Sequence, residues 1–63
     1  MIRDLRIKAG LTQQQLADVV GVDRVAVARW ESGAALPRAS KLPMIAETLN
    51  CTIDDLFKEE QDT

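Results

Sequence analysis

Few side chains in this 63-residue sequence could make or break bonds, and those that could lack the partners such chemistry requires. Ser32, Ser40 and Cys51 are the candidate nucleophiles, but the sequence has no histidine to activate them. With no histidine and one cysteine, the usual zinc ligand set cannot be assembled either. No catalytic residue and no cofactor or metal site is therefore expected. What the sequence offers instead is a recognition surface. Between Asp23 and Glu31, Val27 and Trp30 fall three apart and face inward, which leaves Arg24, Val25, Ala28 and Arg29 on the outward side of one short helix.

Charge is distributed in a way that suits such a surface. The formal net charge is −2, which argues against a generic polyanion binder. As far as Ala46, however, seven basic residues (Arg3, Arg6, Lys8, Arg24, Arg29, Arg38, Lys41) face four acids (Asp4, Asp18, Asp23, Glu31), a balance of +3. From Glu47 onward six acids face Lys58 alone, a balance of −5. A basic part joined to an acidic end implies one surface turned toward a polyanion and another turned away from it.

The elements that hold the outward face are marked by capping chemistry. Thr12 is an N-cap with Gln15 three residues later, a capping box, and Leu11 and Leu16 form the accompanying hydrophobic staple. Leu16, Ala17 and Val20 continue one apolar face until Gly21, where the chain needs positive φ. Asp23 is the expected N-cap of the next helix, with Val22 and Val27 at its staple positions. An earlier helix is expected over Ile2 to Ala9, its apolar side made by Ile2, Leu5 and Ala9 and its end by Gly10.

Beyond Gly33 and the connection Ala34 to Arg38, which Pro37 keeps from continuing as helix, a fourth helix is expected to start near Ala39 or Ser40. That start accommodates Pro43 in the first turn, and Leu42, Ile45, Ala46 and Leu49 make the apolar stripe. Asn50 takes the left-handed closing position. Thr52 caps a fifth helix, with Ile53, Leu56 and Phe57 on its buried side. No segment alternates with period two, so the fold class is all-α, five short helices without a sheet.

Sixty-three residues allow one small domain, here residues 1–57 followed by an acidic flexible tail, 58–63. Cys51 reads as a small buried hydrophobe, and a lone cysteine suits a reducing cytoplasm. No apolar run approaches membrane-spanning length and no signal-peptide block opens the chain.

Two helices joined around a glycine, the second with a compact polar face, match the helix-turn-helix arrangement. On Arg6, Gly10-Leu11-Thr12-Gln13, Leu16-Ala17, Gly21-Val22, Trp30-Glu31, Gly33, Pro37, Ala46 and Leu49, the sequence strongly resembles the lambda-repressor-like, or Cro-type (XRE), helix-turn-helix proteins over roughly Ile2 to Phe57. The resemblance implies the compact five-helix fold of that family and sequence-specific binding of double-stranded DNA, with no membrane partner and no small-molecule ligand.

Individual roles follow from matching positions. Arg24, Val25 and Arg29 match positions that read base edges; arginine forks onto O6 and N7 of guanine, and Val25 packs against a thymine methyl. Ala28 lies on the same face and permits close approach. Gln13, first in its helix, matches a phosphate contact, and Ser32, Arg38 and Lys41 are expected to touch the backbone from the far side of the reading helix. Arg6 and Glu31 match a buried structural pair. Leu36, Met44 and Ile53 are either core or an exposed patch, which in small family members forms a homodimer contact. Ala34 and Ala35 stand in a loop that is often basic in relatives, and with the acidic end they imply weak non-specific binding and a shallow salt dependence.

The implied function is a small repressor or Cro-like switch protein, dimeric on a pseudo-palindromic operator. One rival stands beside it: a protein-interaction module, antitoxin-like or anti-repressor, that keeps the fold but acts on a partner regulator. The acidic end supports the rival and the polar face of the second helix opposes it.

Overall fold

The computed structural model describes residues 2–57, in which the chain runs α1 (Ile2–Lys8), α2 (Gln13–Val20), α3 (Arg24–Ser32), a 3-10 turn (Ala39–Lys41), α4 (Leu42–Thr48) and α5 (Ile53–Leu56). Among the described residues there is no strand, and no helix is long and apolar enough to cross a membrane. The expected acidic tail, 58–63, lies outside the described residues.

Local chemistry explains where α2 begins and ends. Thr12 is extended (φ −83°, ψ 168°); its hydroxyl accepts the Gln15 N–H at 3.0 Å, and the Gln15 side-chain oxygen accepts the Thr12 N–H at 2.9 Å. Two donors that the helix leaves unpaired are thereby satisfied. At the far end Gly21 adopts φ 84°, which lets the Val22 N–H reach back to the Ala17 carbonyl at 3.0 Å. Asn50 makes the same kind of closure after α4 with φ 57°, the Cys51 N–H bonding the Ala46 carbonyl at 2.9 Å. A short polar side chain is what makes that conformation tolerable without glycine.

The start of α3 departs from expectation. Asp23 occupies the N-cap with extended backbone (φ −75°, ψ 152°), but its side chain makes no capping hydrogen bond. The first turn is closed by backbone instead, the Ala26 N–H donating to the Asp23 carbonyl at 2.9 Å. Val22, partly buried against the core, and Val27, wholly buried, fix the entry angle.

One core joins all five helices: Ile2 from α1, Leu16, Ala17 and Val20 from α2, Val27 from α3, Ile45 and Ala46 from α4 with Leu49 at its end, and Leu56 from α5. Leu5, Leu11, Val22, Trp30, Leu42 and Cys51 pack around it, each partly buried. Trp30 is thus a packing residue, as its spacing from Val27 implies. The most extensive contact is between α2 and α3, so the pair that forms the turn is also the best-packed pair.

Several boundary expectations need correction. The segment from Ala39 begins as a 3-10 turn, and the α-helix starts only at Leu42, with Pro43 in its first turn. On α5, Leu56 alone is buried; Ile53 and Phe57 are 40% and 43% exposed. A helix of four residues makes barely more than one turn and can direct a single position into the core. Ala9 is exposed beyond the end of α1, and Cys51 is half-buried rather than enclosed.

Candidate nucleic-acid interface

The reading face expected on α3 is open. Arg24, Val25 and Arg29 are exposed, Val25 by 58%, whereas Val27 between them is wholly buried and clamps the opposite side of the helix. Ala28 is half-buried, in keeping with a position that lets another surface come close without contacting it through polar atoms. Nine residues at about 1.5 Å each make α3 roughly 13 Å long, and a helix about 10 to 12 Å across with its side chains fits the roughly 12 Å width of a B-DNA major groove. Beside it a shallow, open concavity is lined by Gly21, Val22, Asp23, Val25, Ala26 and Arg29, so the turn itself forms one wall of the surface.

The structural pair is present, and it is larger than a pair. Arg6 Nε donates to Glu31 Oε2 at 2.6 Å and Nη2 to Oε1 at 3.3 Å, while Nη1 donates to the Leu11 carbonyl at 2.7 Å. Gln13 Nε2 adds a third bond to the carboxylate, reaching Oε1 at 3.0 Å. An ionised carboxylate only accepts, so the Gln13 amide must turn its NH2 toward it, and one N–H of that group stays available for another acceptor. With side-chain exposures of 12% for Arg6 and 4% for Glu31, the charges are largely out of water, and such a pair is tolerable only with its hydrogen-bonding capacity used. The network spans α1, the first residues of α2 and the end of α3, and so ties α3 to both earlier helices.

The residues expected at phosphates divide by environment. Gln13 is half-buried through its bond to Glu31. Ser32 is exposed, its hydroxyl donating to the Arg29 carbonyl at 3.2 Å. Arg38 is exposed at the residue preceding the 3-10 turn. Lys41 is partly buried, and its Nζ donates to the Val20 carbonyl, at the C-terminal end of α2, at 3.1 Å. Neither the Gln13–Glu31 bond nor the Lys41–Val20 bond has a sequence signature, because each joins residues far apart that share no periodic face. Leu36, Met44 and Ile53 are surface residues rather than core, exposed by 75%, 46% and 40%.

Comparison with known proteins agrees with this geometry. The Helix-turn-helix family matches residues 2–56. The HTH-type transcriptional activator BcrR of Enterococcus faecalis is 38% identical over 60 residues, which is 95% of this chain and 29% of that protein. An uncharacterized HTH-type transcriptional regulator of Archaeoglobus fulgidus is 41% identical over 56 residues, 89% of this chain and 80% of its own length. Repressor protein C2 of Salmonella phage P22 is 35% identical over 57 residues, 90% of this chain and 26% of its own. The chain thus spans less than a third of the activator and of the phage repressor, and four fifths of the archaeal regulator. No solved structure matches the chain. With α2, the Gly21 turn and an open-faced α3 on a five-helix core, and with the family match covering nearly the whole of it, the chain belongs to the helix-turn-helix family, in its lambda-repressor-like (XRE-type) form.

Proposed function

We propose that the protein is a cytoplasmic, sequence-specific regulator of transcription, a small repressor or Cro-like switch that binds a pseudo-palindromic operator as a homodimer through α3 in the major groove. The observation that carries this reading is the exposure of Arg24, Val25 and Arg29 around a buried Val27 on one short, firmly anchored helix. Arg24 and Arg29 supply donors for guanine, Val25 an apolar contact for a thymine methyl, and Ala28 the clearance between them. Gln13, at the N-terminus of α2, offers its remaining amide N–H to a phosphate, with Ser32 and Arg38 on the other side of α3.

The geometry of a two-half-site operator favours two copies. The successive major grooves on one face of a duplex are about 34 Å apart. One copy measures 33 × 23 × 22 Å and carries a single α3, so it reaches one half-site. The exposed Leu36, Met44 and Ile53, with Phe57, supply apolar surface for the second copy.

Selection from random duplexes followed by sequencing tests the reading. An enriched motif with two related half-sites supports it. Enrichment of nothing, together with capture of a partner regulator, would support the interaction-module alternative, for which the net charge of −2 is the favouring observation.

A further inference from the structure

The geometry points to Lys41 as a positioning residue for the interface, a strut that holds the helix-turn-helix turn from behind rather than a phosphate contact. Lys41 stands where the 3-10 turn passes into α4, and its ammonium crosses back to the Val20 carbonyl at 3.1 Å. Val20 is the last residue of α2, whose final carbonyls have no partner within the helix and carry the negative end of its dipole. A cation with a hydrogen bond at that point satisfies both the lone pair and the charge.

The placement bears on the turn itself. A Cβ built on Gly21 would lie 3.8 Å from Lys41 Nζ, so the ammonium stands beside the residue that reverses the chain between α2 and α3. The turn's own bonds, Gly21 N–H and Val22 N–H, both to the Ala17 carbonyl at 2.8 and 3.0 Å, are donated by the two residues that directly follow the lysine's anchor. The backbone of the same residue is tied to the short segment that carries exposed Arg38, whose carbonyl accepts the Lys41 N–H at 2.9 Å. One residue therefore links two parts of the proposed binding surface, through its side chain to the turn that aims α3 and through its backbone N–H to the loop that presents Arg38. This assignment rests on the DNA-binding reading for its consequence and on the fold alone for its mechanism.

The experiment measures salt dependence of DNA binding and amide exchange on the full chain and on Lys41→Met, Lys41→Gln and Arg38→Met. A residue that neutralises one phosphate contributes about 0.9 to the slope of log affinity against log salt. Expected for Lys41→Met is an unchanged slope, with exchange at Gly21 and Val22 faster by about tenfold, the loss of one charge-assisted hydrogen bond. Lys41→Gln, which keeps a neutral donor, should keep the slope and regain much of the protection; it also serves if the methionine variant does not fold. Arg38→Met should lower the slope and leave the turn amides alone. A slope reduced by about 0.9 in both Lys41 variants, with turn exchange unchanged, would overturn the assignment and make Lys41 a phosphate contact. If the unmodified chain bound no duplex at all, the DNA reading would fail while the exchange measurement still decided the strut.

Discussion

Arg6 meets the Glu31 carboxylate side-on, Nε to Oε2 at 2.6 Å and Nη2 to Oε1 at 3.3 Å, across twenty-five positions of sequence. The contact fastens the end of α3 to α1, with Gln13 closing the link to α2. Removing one member of a largely buried pair leaves the other charge without compensation, which typically costs about 3 to 5 kcal/mol. A domain of this length holds only about 3 to 9 kcal/mol in total. Arg6→Met is therefore expected to be mostly unfolded near its normal melting temperature, and Arg6→Met with Glu31→Leu to recover much of the loss. Urea denaturation of the two single variants and the double variant checks this; additive losses would show that the pair is not coupled.

Caps should rank in a particular order. Thr12 makes both halves of a capping box, so Thr12→Ala is expected to cost about 1 kcal/mol. Asp23 occupies the same kind of position without a side-chain bond, so Asp23→Ala is expected to cost no more than about 0.5 kcal/mol, the helix-dipole contribution. Thermal denaturation of the two variants at one pH compares them directly, and equal losses would mean that Asp23 caps α3 in solution.

The contrast between those two residues marks how far the sequence could be read. Where a feature is local, as with Thr12 and Gln15, Gly21, or Asn50, residue type and spacing of a few positions contain the whole physical cause, and the structure agrees. The five-helix order and the Arg6–Glu31 pair were also legible, the pair through its place in the family pattern. Features settled by tertiary packing were not. Asp23 has the right chemistry for a cap but the backbone closes the turn without it; Ile53 and Phe57 are apolar enough for the core, but α5 is too short to deliver Ile53 and ends before Phe57. Lys41 and Gln13 both read from the sequence as contacts to phosphate, and only the folded chain brings Val20 and Glu31 to them.

For the reading face, Arg29→Ala is expected to cost about 1 to 3 kcal/mol on the preferred sequence and to relax preference at one base position. Gln13→Ala should weaken preferred and random duplexes alike, with a fall in stability of about 1 kcal/mol from the lost bond to Glu31. Titrations of each variant against a selected and a scrambled duplex distinguish the two behaviours. Equal losses on both duplexes for Arg29→Ala would remove it from base reading.

Cys51 should be a quiet thiol. Burial, and then the nearby Asp55 carboxylate, push its pKa up from the ordinary value of 9.0. The neutral thiol is therefore favoured by folding: its contribution to stability is full below that value and is lost as pH rises through the higher folded value. Alkylation of the folded chain at pH 8 is expected to be slower than that of the urea-unfolded chain. Stability should also fall less steeply above pH 9 in Cys51→Ala than in the unmodified protein, and equal alkylation rates folded and unfolded would contradict the assignment.

The central claim is that α3 reads sequence, and motif selection from random duplexes tests it most directly. The expected result is an enriched pseudo-palindrome whose half-sites contain guanine and thymine, with centres one helical turn, about 10 base pairs, apart. Recovery of no motif by a folded protein, at a salt concentration low enough to retain duplex, would contradict it.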